Sequence, residues 1–369
     1  MNIEKITITH VQIPFIEPFK ISNGEVRVKD GIIVSVYSDG LVGYGEASPM
    51  AGSFYSEDTP ESVWECLTTE LIPRISQISP ATIDDVNSVL DGIPGSPFAK
   101  AGIETAMWDL TAQRQDLPLF KLLGGKEGSI ASGLAVGIYS TIGQLLTAIE
   151  RHMVEGYKRV KIKIQPGWDL KPLEEVRKHF GDFPLMVDAN CAYSQNDIPH
   201  LLALDEFNLM MIEQPLPRSD LNGHAKLQSC IKTPVCLDEG AEDLNAVRRA
   251  IELKACKIVN IKIQRVGGLK KAKEIHDLCE QAKIPVWAGT MPELGIGAAQ
   301  TLHLATLPNC AFPTDVESSH RWFVDDIIDP PIEVCKGMIR IVAGTGNCYR
   351  VNENVMKKYT VREATFPVN

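Results

Sequence analysis

The sequence of 369 residues lacks any long apolar segment and any concentration of positive charge. No apolar run approaches the roughly 18 residues of a membrane-spanning helix, so we do not expect a span. Lys and Arg total 37 against 47 Asp and Glu, which gives a net charge of -10, and no basic stripe is present. This charge argues against nucleic acid or an anionic membrane surface as the main partner.

Several short motifs are also missing. The nine cysteines are scattered and form no CxxC pair, and no HxH pair is present. This argues against a disulfide framework or a zinc site and favours buried free thiols in a reducing cytoplasm. Gly43-x-Gly45 and Gly295-x-Gly297 do not complete a GxGxxG nucleotide loop. The N-terminus is typical of a strand and lacks the basic start and apolar core of a secretory signal.

The sequence pattern divides the chain into three parts. Residues 1–125 show alternating apolar residues and then helical periodicity, which predicts an α+β capping domain. Its three predicted antiparallel strands are Ile6–Val11, Gly31–Tyr37 and Leu41–Ala47. Residues 126–320 alternate short apolar strands with amphipathic helices, which predicts a parallel α/β sheet, most simply a closed barrel. Residues 321–369 contain strand-like Met338–Val342, and we expect this segment to return to the cap.

The strongest signal is the spacing of five charged residues along the predicted barrel. Successive members are 24 or 25 residues apart, close to one strand, loop and helix of a barrel. Each lies at or near the carboxyl end of a predicted strand, where barrel enzymes carry their chemistry. They are Lys163, Asp188, Glu213, Asp238 and Lys262. A single acid there is commonly a helix cap or a salt-bridge partner, but five in register favour one shared site.

These charges predict a metal-assisted proton abstraction. Three carboxylates on adjacent strands repel one another unless a cation binds between them, and oxygen ligands favour Mg²⁺, with Mn²⁺ as an alternative. The metal would stabilise the enolate of a substrate carboxylate. Two flanking lysines could move a proton on opposite faces of one carbon, and burial and the neighbouring cation should lower their pKa values. Lys161, on the strand face of Lys163, is a candidate contact for that carboxylate, and Asn190, on the face of Asp188, a supporting donor.

The motifs around these residues resemble those of the enolase superfamily, in its muconate-lactonizing-enzyme subgroup. The matching motifs, in order, are GYGEA at 43–47, KIK at 161–163, VDAN at 187–190, IEQP at 212–215, LDE at 237–239 and NIK at 260–262. The resemblance covers essentially the whole chain. It implies an α+β cap over a modified TIM barrel of the (β/α)7β type. It also implies Asp188, Glu213 and Asp238 as metal ligands and Lys163 and Lys262 as the acid/base pair.

Within that subgroup the chain is most similar to the o-succinylbenzoate synthase and N-acylamino acid (N-succinylamino acid) racemase family. The stretches RVGGLKKA at 265–272 and SSHRWFVDDI at 318–327 carry this similarity. Three positions depart from the family pattern. Ala298 replaces an expected arginine, Thr314 replaces the glycine of a Pro-Gly-Asp motif, and Ala135 replaces a common serine. We expect these departures to bear on substrate choice.

Further substrate contacts are predicted at the barrel mouth and in the cap. Met291 and Glu293 lie where the sequence resembles the muconate cycloisomerases instead, and they are candidate substrate-binding residues. The resemblance also implies that the cap loops Phe19–Gly24 and Met50–Tyr55 close over the mouth. The aromatic residues that begin the first loop and end the second are candidate apolar contacts. A place in the cap core or on the surface is an equal alternative for both rings.

We therefore expect a magnesium-dependent lyase or isomerase of the o-succinylbenzoate synthase or N-acylamino acid racemase type, acting on a small carboxylate substrate. A dipeptide epimerase or a muconate-type cycloisomerase would use the same machinery. A Schiff-base aldolase with Lys262 as nucleophile is an alternative of a different class, and a non-catalytic binding barrel is another. Analogy with similar barrels suggests a homo-oligomer.

Overall fold

The predicted fold class, a barrel with an α+β cap, is confirmed. The computed structural model describes residues 2–21, 24–51, 56–78, 80 and 82–368, except for the side chains of residues 19–21.

The cap begins with three antiparallel strands, β1 (Ile3–Ile21), β2 (Gly24–Ser38) and β3 (Leu41–Ala47). The first two strands form a hairpin that runs beyond the predicted strands, with paired residues from Ile3–Ser38 to Ile21–Gly24. Its register is irregular between Pro14 and Phe19. The extension carries the hairpin past the end of the apolar alternation from which the strands were predicted.

The cap helices follow the sheet. They are α1 (Pro60–Glu65), a π-helical segment (Cys66–Leu71), α2 (Ile72–Ile78), α3 (Ile83–Asp91), α4 (Pro97–Arg114) and α5 (Leu119–Leu123). Thr59 and Thr82 begin α1 and α3 with capping boxes, in which the threonine oxygen accepts from a backbone N–H that the helix leaves unpaired. Most of α4 is buried, because it lies between the cap sheet and the barrel.

The glycines of the GYGEA motif let β3 approach α4 closely. A Cβ on Gly45 would lie 2.0 Å from the carbonyl oxygen of Gly102, and one on Gly43 would lie 2.3 Å from that of Ala106. Both distances are far inside van der Waals contact, so only glycine fits without displacing the helix. The motif is therefore a packing device between strand and helix.

Seven parallel strands form most of the barrel and lie side by side in chain order. After a short strand β4 (Ser129–Ala131) they are β5 (Leu134–Val136), β6 (Val160–Lys163), β7 (Leu185–Asp188), β8 (Ile212–Glu213), β9 (Val235–Leu237), β10 (Ile258–Ile261) and β11 (Val286–Ala288). Several contain only two or three residues, because the residues that follow them turn into loops at the barrel mouth.

Residues 309–315 close the ring in the place of an eighth strand. The backbone N–H of Ala311 donates to the carbonyl of Val286 at 2.9 Å, and that of Gly133 donates to the carbonyl of Thr314 at 2.9 Å. The segment thus bridges β11 and the start of β5. It is not a regular strand, but it takes the place of the eighth strand of the expected (β/α)7β barrel.

Helices connect the barrel strands on the outside. They are α6 (Ile142–Met153), α7 (Leu170–Phe180), α8 (Ile198–Leu201), α9 (Leu221–Cys230), α10 (Leu244–Leu253), α11 (Ile263–Val266), α12 (Leu269–Gln281) and α13 (Gly295–Leu304), with 3-10 turns at Gln195–Asp197 and Leu202–Phe207. Side-chain oxygens of Thr141, Asp169, Asp220 and Asp243 cap four of them.

The C-terminal segment returns to both parts of the molecule. Its elements are α14 (Ser319–Trp322), β12 (Ile328–Asp329), β13 (Met338–Arg340), β14 (Arg350–Val351), α15 (Glu353–Tyr359) and β15 (Thr360–Pro367). β15 pairs with β1, so the cap sheet has four strands and the prediction of three was wrong. The alternation of β15 includes charged Arg362 and Glu363 and is too polar to predict a buried strand. β13 pairs with β4 and not with the cap.

No helix in the described ranges is both long and apolar enough to cross a bilayer. All nine cysteines are free thiols, as predicted. Cys230 and Cys335 are exposed, so the prediction of buried thiols is wrong for these two, and the others are buried or half-buried.

The close approach of β3 and α4 makes a stability prediction. Gly45→Ala should lower the free energy of unfolding by about 1–3 kcal/mol, because its methyl group must push α4 away. Gly128→Ala is the matched control, since nothing lies within 4 Å of a Cβ at that position. Urea denaturation measures both variants. Equal midpoints for Gly45→Ala and the wild type would show that the contact is not tight.

Candidate active site

The carboxyl ends of five consecutive strands, β6 to β10, carry the five spaced residues. Parallel register sets Lys163 beside Asp188 and Asp188 beside Glu213. Asp238 and Lys262 directly follow the last residues of β9 and β10. All five side chains are buried, with at most 8% exposed. The structure therefore brings the whole predicted set to one end of the barrel.

The two lysines of this set lie on opposite sides of the barrel mouth. Lys163 ends β6 and Lys262 follows β10, so they are four positions apart in a ring of eight. The strands that carry Asp188, Glu213 and Asp238 lie between them. An ammonium group thus stands at each end of an arc of three carboxylates.

Asn190 orients the ammonium group of Lys163. Nζ of Lys163 donates to Oδ2 of Asp188 at 2.5 Å and to Oδ1 of Asn190 at 2.9 Å. The amide of Asn190 in turn donates to Oε1 of Glu239 at 3.0 Å, and its backbone N–H donates to Oδ1 of Asp188 at 2.9 Å. Asn190 adopts a left-handed backbone with φ of 42°, a conformation that asparagine tolerates better than most residues. It holds the lysine and does not merely share a face with Asp188.

Lys262 faces Asp238 together with Arg265. Nζ of Lys262 donates to Oδ2 of Asp238 at 2.9 Å, while Nη1 of Arg265 donates to Oδ1 and, at 3.1 Å, to the backbone carbonyl of Asp238. Burial alone would raise the pKa of Asp238, but the two cations outweigh it and lower that pKa. Burial alone would lower the pKa of Lys262, but Asp238 together with Glu213 and Glu239 outweighs it and raises that pKa. Without a bound cation the carboxylates hold the proton on Lys262, and the lowered lysine pKa expected beside a metal stays a prediction.

Lys161 and Glu213 lie deeper in the same arc. Nζ of Lys161 lies 3.3 Å from Oε2 of Glu213 and 3.9 Å from Oδ2 of Asp188, and it donates a hydrogen bond to Asp315. Burial opposes the charge on Lys161, yet these carboxylates outweigh it and raise its pKa. Burial and the neighbouring Asp188 raise the pKa of Glu213 to about 8.

The three carboxylates offer a set of donors that suits a hard divalent cation. All three are buried, and Oε2 of Glu213 accepts no hydrogen bond. Nδ2 of Asn260 bridges Oε1 of Glu213 at 2.7 Å and Oδ1 of Asp238 at 3.0 Å. Oxygen-only ligands fit Mg²⁺ or Mn²⁺ and give no preference to zinc. A cation bound by all three must displace the amide and ammonium groups that now lie among them.

A more compact group of potential metal ligands lies on α12. Within the described part of the chain, the ligand atoms of His276, Asp277 and Glu280 on α12 all lie within 4.8 Å of one another. Asp188, Glu213 and Asp238 do not form so tight a group. Both ring nitrogens of His276 are engaged, however, Nδ1 with Asp277 at 2.9 Å and Nε2 with the backbone N–H of Asn309 at 3.2 Å. The group on α12 therefore has no free imidazole nitrogen for a metal.

The remaining predicted contacts lie at the boundary between cap and barrel. Met291 is buried, packs with the cap core and lines a cavity of about 400 Å³ beside Glu239 and Arg265. Glu293 accepts from the backbone N–H of Met291 at 3.0 Å, and its Oε2 accepts no hydrogen bond. Burial raises the pKa of Glu293. Tyr55 lies outside the described residues, as does the side chain of Phe19.

The three departures from the family pattern lie on the side of residues 309–315. The backbone N–H of Ala135 donates to Oε1 of Glu317 at 2.7 Å, and Oγ1 of Thr314 donates to the carbonyl of Ala288 at 2.7 Å. Ala298 lines a cavity of about 20 Å³ together with Glu293 and Glu317. A cavity of that size holds about one water molecule.

Four residues that contact this arc were not predicted. They are Glu239, Asn260, Arg265 and Asp315. Asn260 lies two residues before Lys262 and shares its strand face, and this alternation was a usable signal. Asp315 escaped because the seventh strand, VWAGT, carries no charge and ends the series of equal spacings.

Glu46 of the cap fastens the cap to the barrel mouth. Its carboxylate accepts from the backbone N–H of Leu294 at 2.8 Å, from that of Gly297 at 2.8 Å, and from Oγ of Ser48 at 2.5 Å. The amide of Gln264 donates to its backbone carbonyl at 2.7 Å. Burial raises the pKa of Glu46 to about 7. The N-terminal turn of α13 thus depends on a cap residue.

Two family matches together cover most of the chain. The family described as mandelate racemase / muconate lactonizing enzyme, N-terminal domain, matches residues 3–124, and enolase C-terminal domain-like matches residues 144–355. The chain belongs to the mandelate racemase / muconate lactonizing enzyme family of the enolase superfamily. The predicted family is therefore confirmed, and the chain is an enzyme of the mandelate racemase / muconate lactonizing enzyme type.

Named relatives match over nearly the full length. An o-succinylbenzoate synthase from Geobacillus kaustophilus is 42% identical over 361 residues, which cover 98% of this chain and 96% of that protein. An N-succinylamino acid racemase from Amycolatopsis sp is 38% identical over 94% of both proteins. A crystal structure of an enolase-superfamily member from Listeria innocua Clip11262 has a TM-score of 0.95 and 34% identity over 100% of both chains.

The contacts of Glu46 give a second stability prediction. Glu46→Ala in this enolase-superfamily enzyme should lower the free energy of unfolding by about 1–3 kcal/mol for each buried donor left unpaired. Glu127→Ala, at an exposed glutamate, is the control and should stay near the wild type. Denaturant unfolding followed by far-UV circular dichroism measures both. A Glu46→Ala curve that overlays the wild-type curve would contradict the assigned role.

Proposed function

We propose that this chain removes the α-proton of a small carboxylate substrate with the help of a divalent cation, as an o-succinylbenzoate synthase, an N-succinylamino acid racemase, or both. The observation that carries the proposal is the placement of Lys163 and Lys262 at opposite ends of an arc of three buried carboxylates. The relatives that are 42% and 38% identical bear these two names and support the choice of reaction.

Asp188, Glu213 and Asp238 would hold Mg²⁺ or Mn²⁺. Their oxygen-only donor set and Oε2 of Glu213, which accepts no hydrogen bond, support this assignment. The bound cation would neutralise the three acids and stabilise negative charge on the substrate carboxylate. With the acids neutralised, burial would dominate the pKa of Lys262 and lower it towards the range of a base.

The two lysines would divide the proton transfers. In racemisation, one lysine takes the α-proton from one face of the carbon and the other delivers a proton to the opposite face. In dehydration, Lys163 would take the α-proton, the ammonium so formed would give that proton to the β-hydroxyl group, which leaves as water, and the ammonium of Lys262 would stabilise the developing charge. Asn190 fixes Nζ of Lys163 at 2.9 Å, and Lys161 would bind the substrate carboxylate.

The substrate class is also open to direct test. The enzyme should be incubated in deuterated water with Mg²⁺ and N-succinylamino acids, hydrophobic dipeptides or the o-succinylbenzoate precursor, and α-carbon exchange read by mass. Dipeptides belong in the panel because a hydrophobic dipeptide epimerase from Enterococcus faecalis is 31% identical over 327 residues. We expect exchange or dehydration with at least one succinyl compound. Exchange with none would reject the proposed substrate class.

Because the two lysines would act on opposite faces of the α-carbon, replacing either one should impair proton exchange of only one substrate enantiomer. Lys163→Ala and Lys262→Ala should each abolish racemisation, and each should slow exchange of one enantiomer by about 10²–10⁴-fold while sparing the other. Lys158→Ala, at an exposed lysine before β6, is the control and should keep wild-type exchange of both. The two enantiomers are assayed separately. Wild-type exchange in both lysine variants would refute the assignment.

Metal removal distinguishes this proposal from a Schiff-base aldolase. Treatment with EDTA and dialysis should abolish exchange, and added Mg²⁺ or Mn²⁺ should restore it, because the three acids otherwise repel the substrate carboxylate. Asp238→Asn should weaken Mn²⁺ binding in calorimetry. Activity that survives EDTA and is lost on borohydride reduction with substrate would favour an imine at Lys262 instead.

Three further properties are proposals of the same kind. We propose a capping domain at 1–125, a catalytic barrel at 126–320 and a returning segment at 321–369. Limited proteolysis with mass spectrometry would test these boundaries. The free thiols support a cytoplasmic location. A homo-oligomer stays a prediction that light scattering can test.

A further inference from the structure

A buried column of charge lies beneath Lys163 inside the barrel. Arg159, Lys161 and Lys163 alternate along one stretch of backbone, so their side chains project to the same side. Asp315, from the segment that closes the ring, lies between the first two. Its Oδ1 accepts from Nη2 of Arg159 at 2.8 Å, and its Oδ2 accepts from Nζ of Lys161. The carboxylate thus joins two buried cations.

Arg159 holds the carboxylate of Asp315 in a fixed position. Nη2 of Arg159 also donates to the carbonyl of Pro313 at 3.0 Å, and its guanidinium lies 5.2 Å from the ring centre of Trp287. Gly133 provides the space, because a Cβ there would lie 2.4 Å from the guanidinium carbon. With Oδ1 held in this way, Oδ2 of Asp315 has a defined position from which to accept from Lys161.

The ammonium of Lys161 has competing acceptors. It lies 3.3 Å from Oε2 of Glu213 and 3.9 Å from Oδ2 of Asp188, and 5.1 Å from the ring centre of Trp287. A lysine side chain has several rotatable bonds, and ordering it costs up to about 2 kcal/mol. The position of the Lys161 ammonium is therefore set by the acceptor that binds it most strongly. That partner is Asp315, since Oε2 of Glu213 accepts no hydrogen bond.

We propose that Asp315 is a positioning residue that directs the hydrogen bond of Lys161 to itself, so that Oε2 of Glu213, 3.3 Å from the ammonium, accepts no hydrogen bond and can bind a divalent cation. This deepens the proposed function and rests on its assignment of Glu213 as a ligand. Without the carboxylate of Asp315, the ammonium of Lys161 moves onto Glu213 and competes with the metal. Asp315 then acts on the metal site only through Lys161.

A double-mutant cycle tests this chain of action without catalytic activity. Mn²⁺ binding is measured by titration calorimetry for the wild type, Asp315→Asn, Lys161→Met and the double variant. Asp315→Asn should weaken Mn²⁺ binding by about 10–100-fold, and the same substitution should have little effect when Lys161 is already methionine. Asp169→Asn, at an equally buried aspartate whose side chain pairs with Tyr193 and His200 instead of the arc, is the control and should bind Mn²⁺ like the wild type.

Two results would overturn the proposal. One is wild-type Mn²⁺ affinity in Asp315→Asn, and the other is an equal loss in the Lys161→Met background, which would mean that Asp315 does not act through Lys161. Crystal structures give an independent answer. In Asp315→Asn, Nζ of Lys161 should move from 3.3 Å to about 2.8 Å from Oε2 of Glu213 and donate to it, and an unmoved Nζ would refute the idea.

Asp315→Glu keeps the proposal testable if Asp315→Asn does not fold. Its longer side chain retains the charge but displaces the carboxylate, so Nζ of Lys161 should follow that carboxylate in the crystal structure. An ammonium that stays in its wild-type place would overturn the proposal. If the wild type binds no Mn²⁺, the metal assignment fails, while these structures still decide whether Asp315 positions Lys161.

Discussion

The structure depends on offsetting the repulsion among Asp188, Glu213 and Asp238, three buried acids at the ends of adjacent strands. Parallel register brings them together, and because they are buried, solvent screens their charges little. Buried cations offset this repulsion, Lys161 and Lys163 at one end of the arc and Lys262 at the other. The same cations that make the site stable are those that the proposed chemistry uses.

A second level of organisation holds these groups in place. Asn190 fixes Lys163, Asn260 joins two of the acids, and Asp315 holds Lys161. Each of these contacts uses a neutral or oppositely charged partner to give a long side chain one position. The cap is fastened by the same means, since the carboxylate of Glu46 receives backbone N–H groups at the start of α13. The cap and the barrel mouth are therefore joined through buried hydrogen bonds.

Much of this arrangement follows from local sequence. The alternation of short apolar segments with amphipathic helices predicted the barrel. The regular spacing from Lys163 to Lys262 placed five residues in one site, because every strand–helix unit has a similar length. The fourth cap strand was not predictable, since β15 is half-exposed and polar and is defined by its distant partner β1. Asp315 was missed because the seventh strand interrupts the spacing. The pKa directions of the lysines depend on which acids they pair with, and spacing alone does not give those pairings.

The central claim is that three acids share one divalent cation between opposed ammonium groups. Anomalous diffraction from crystals soaked in Mn²⁺ measures this most directly. The account predicts a single strong peak within about 2.0–2.4 Å of carboxylate oxygens of Asp188, Glu213 and Asp238, with Lys163 and Lys262 on either side of it. A peak between His276, Asp277 and Glu280 instead, or no peak at the barrel mouth, would contradict it.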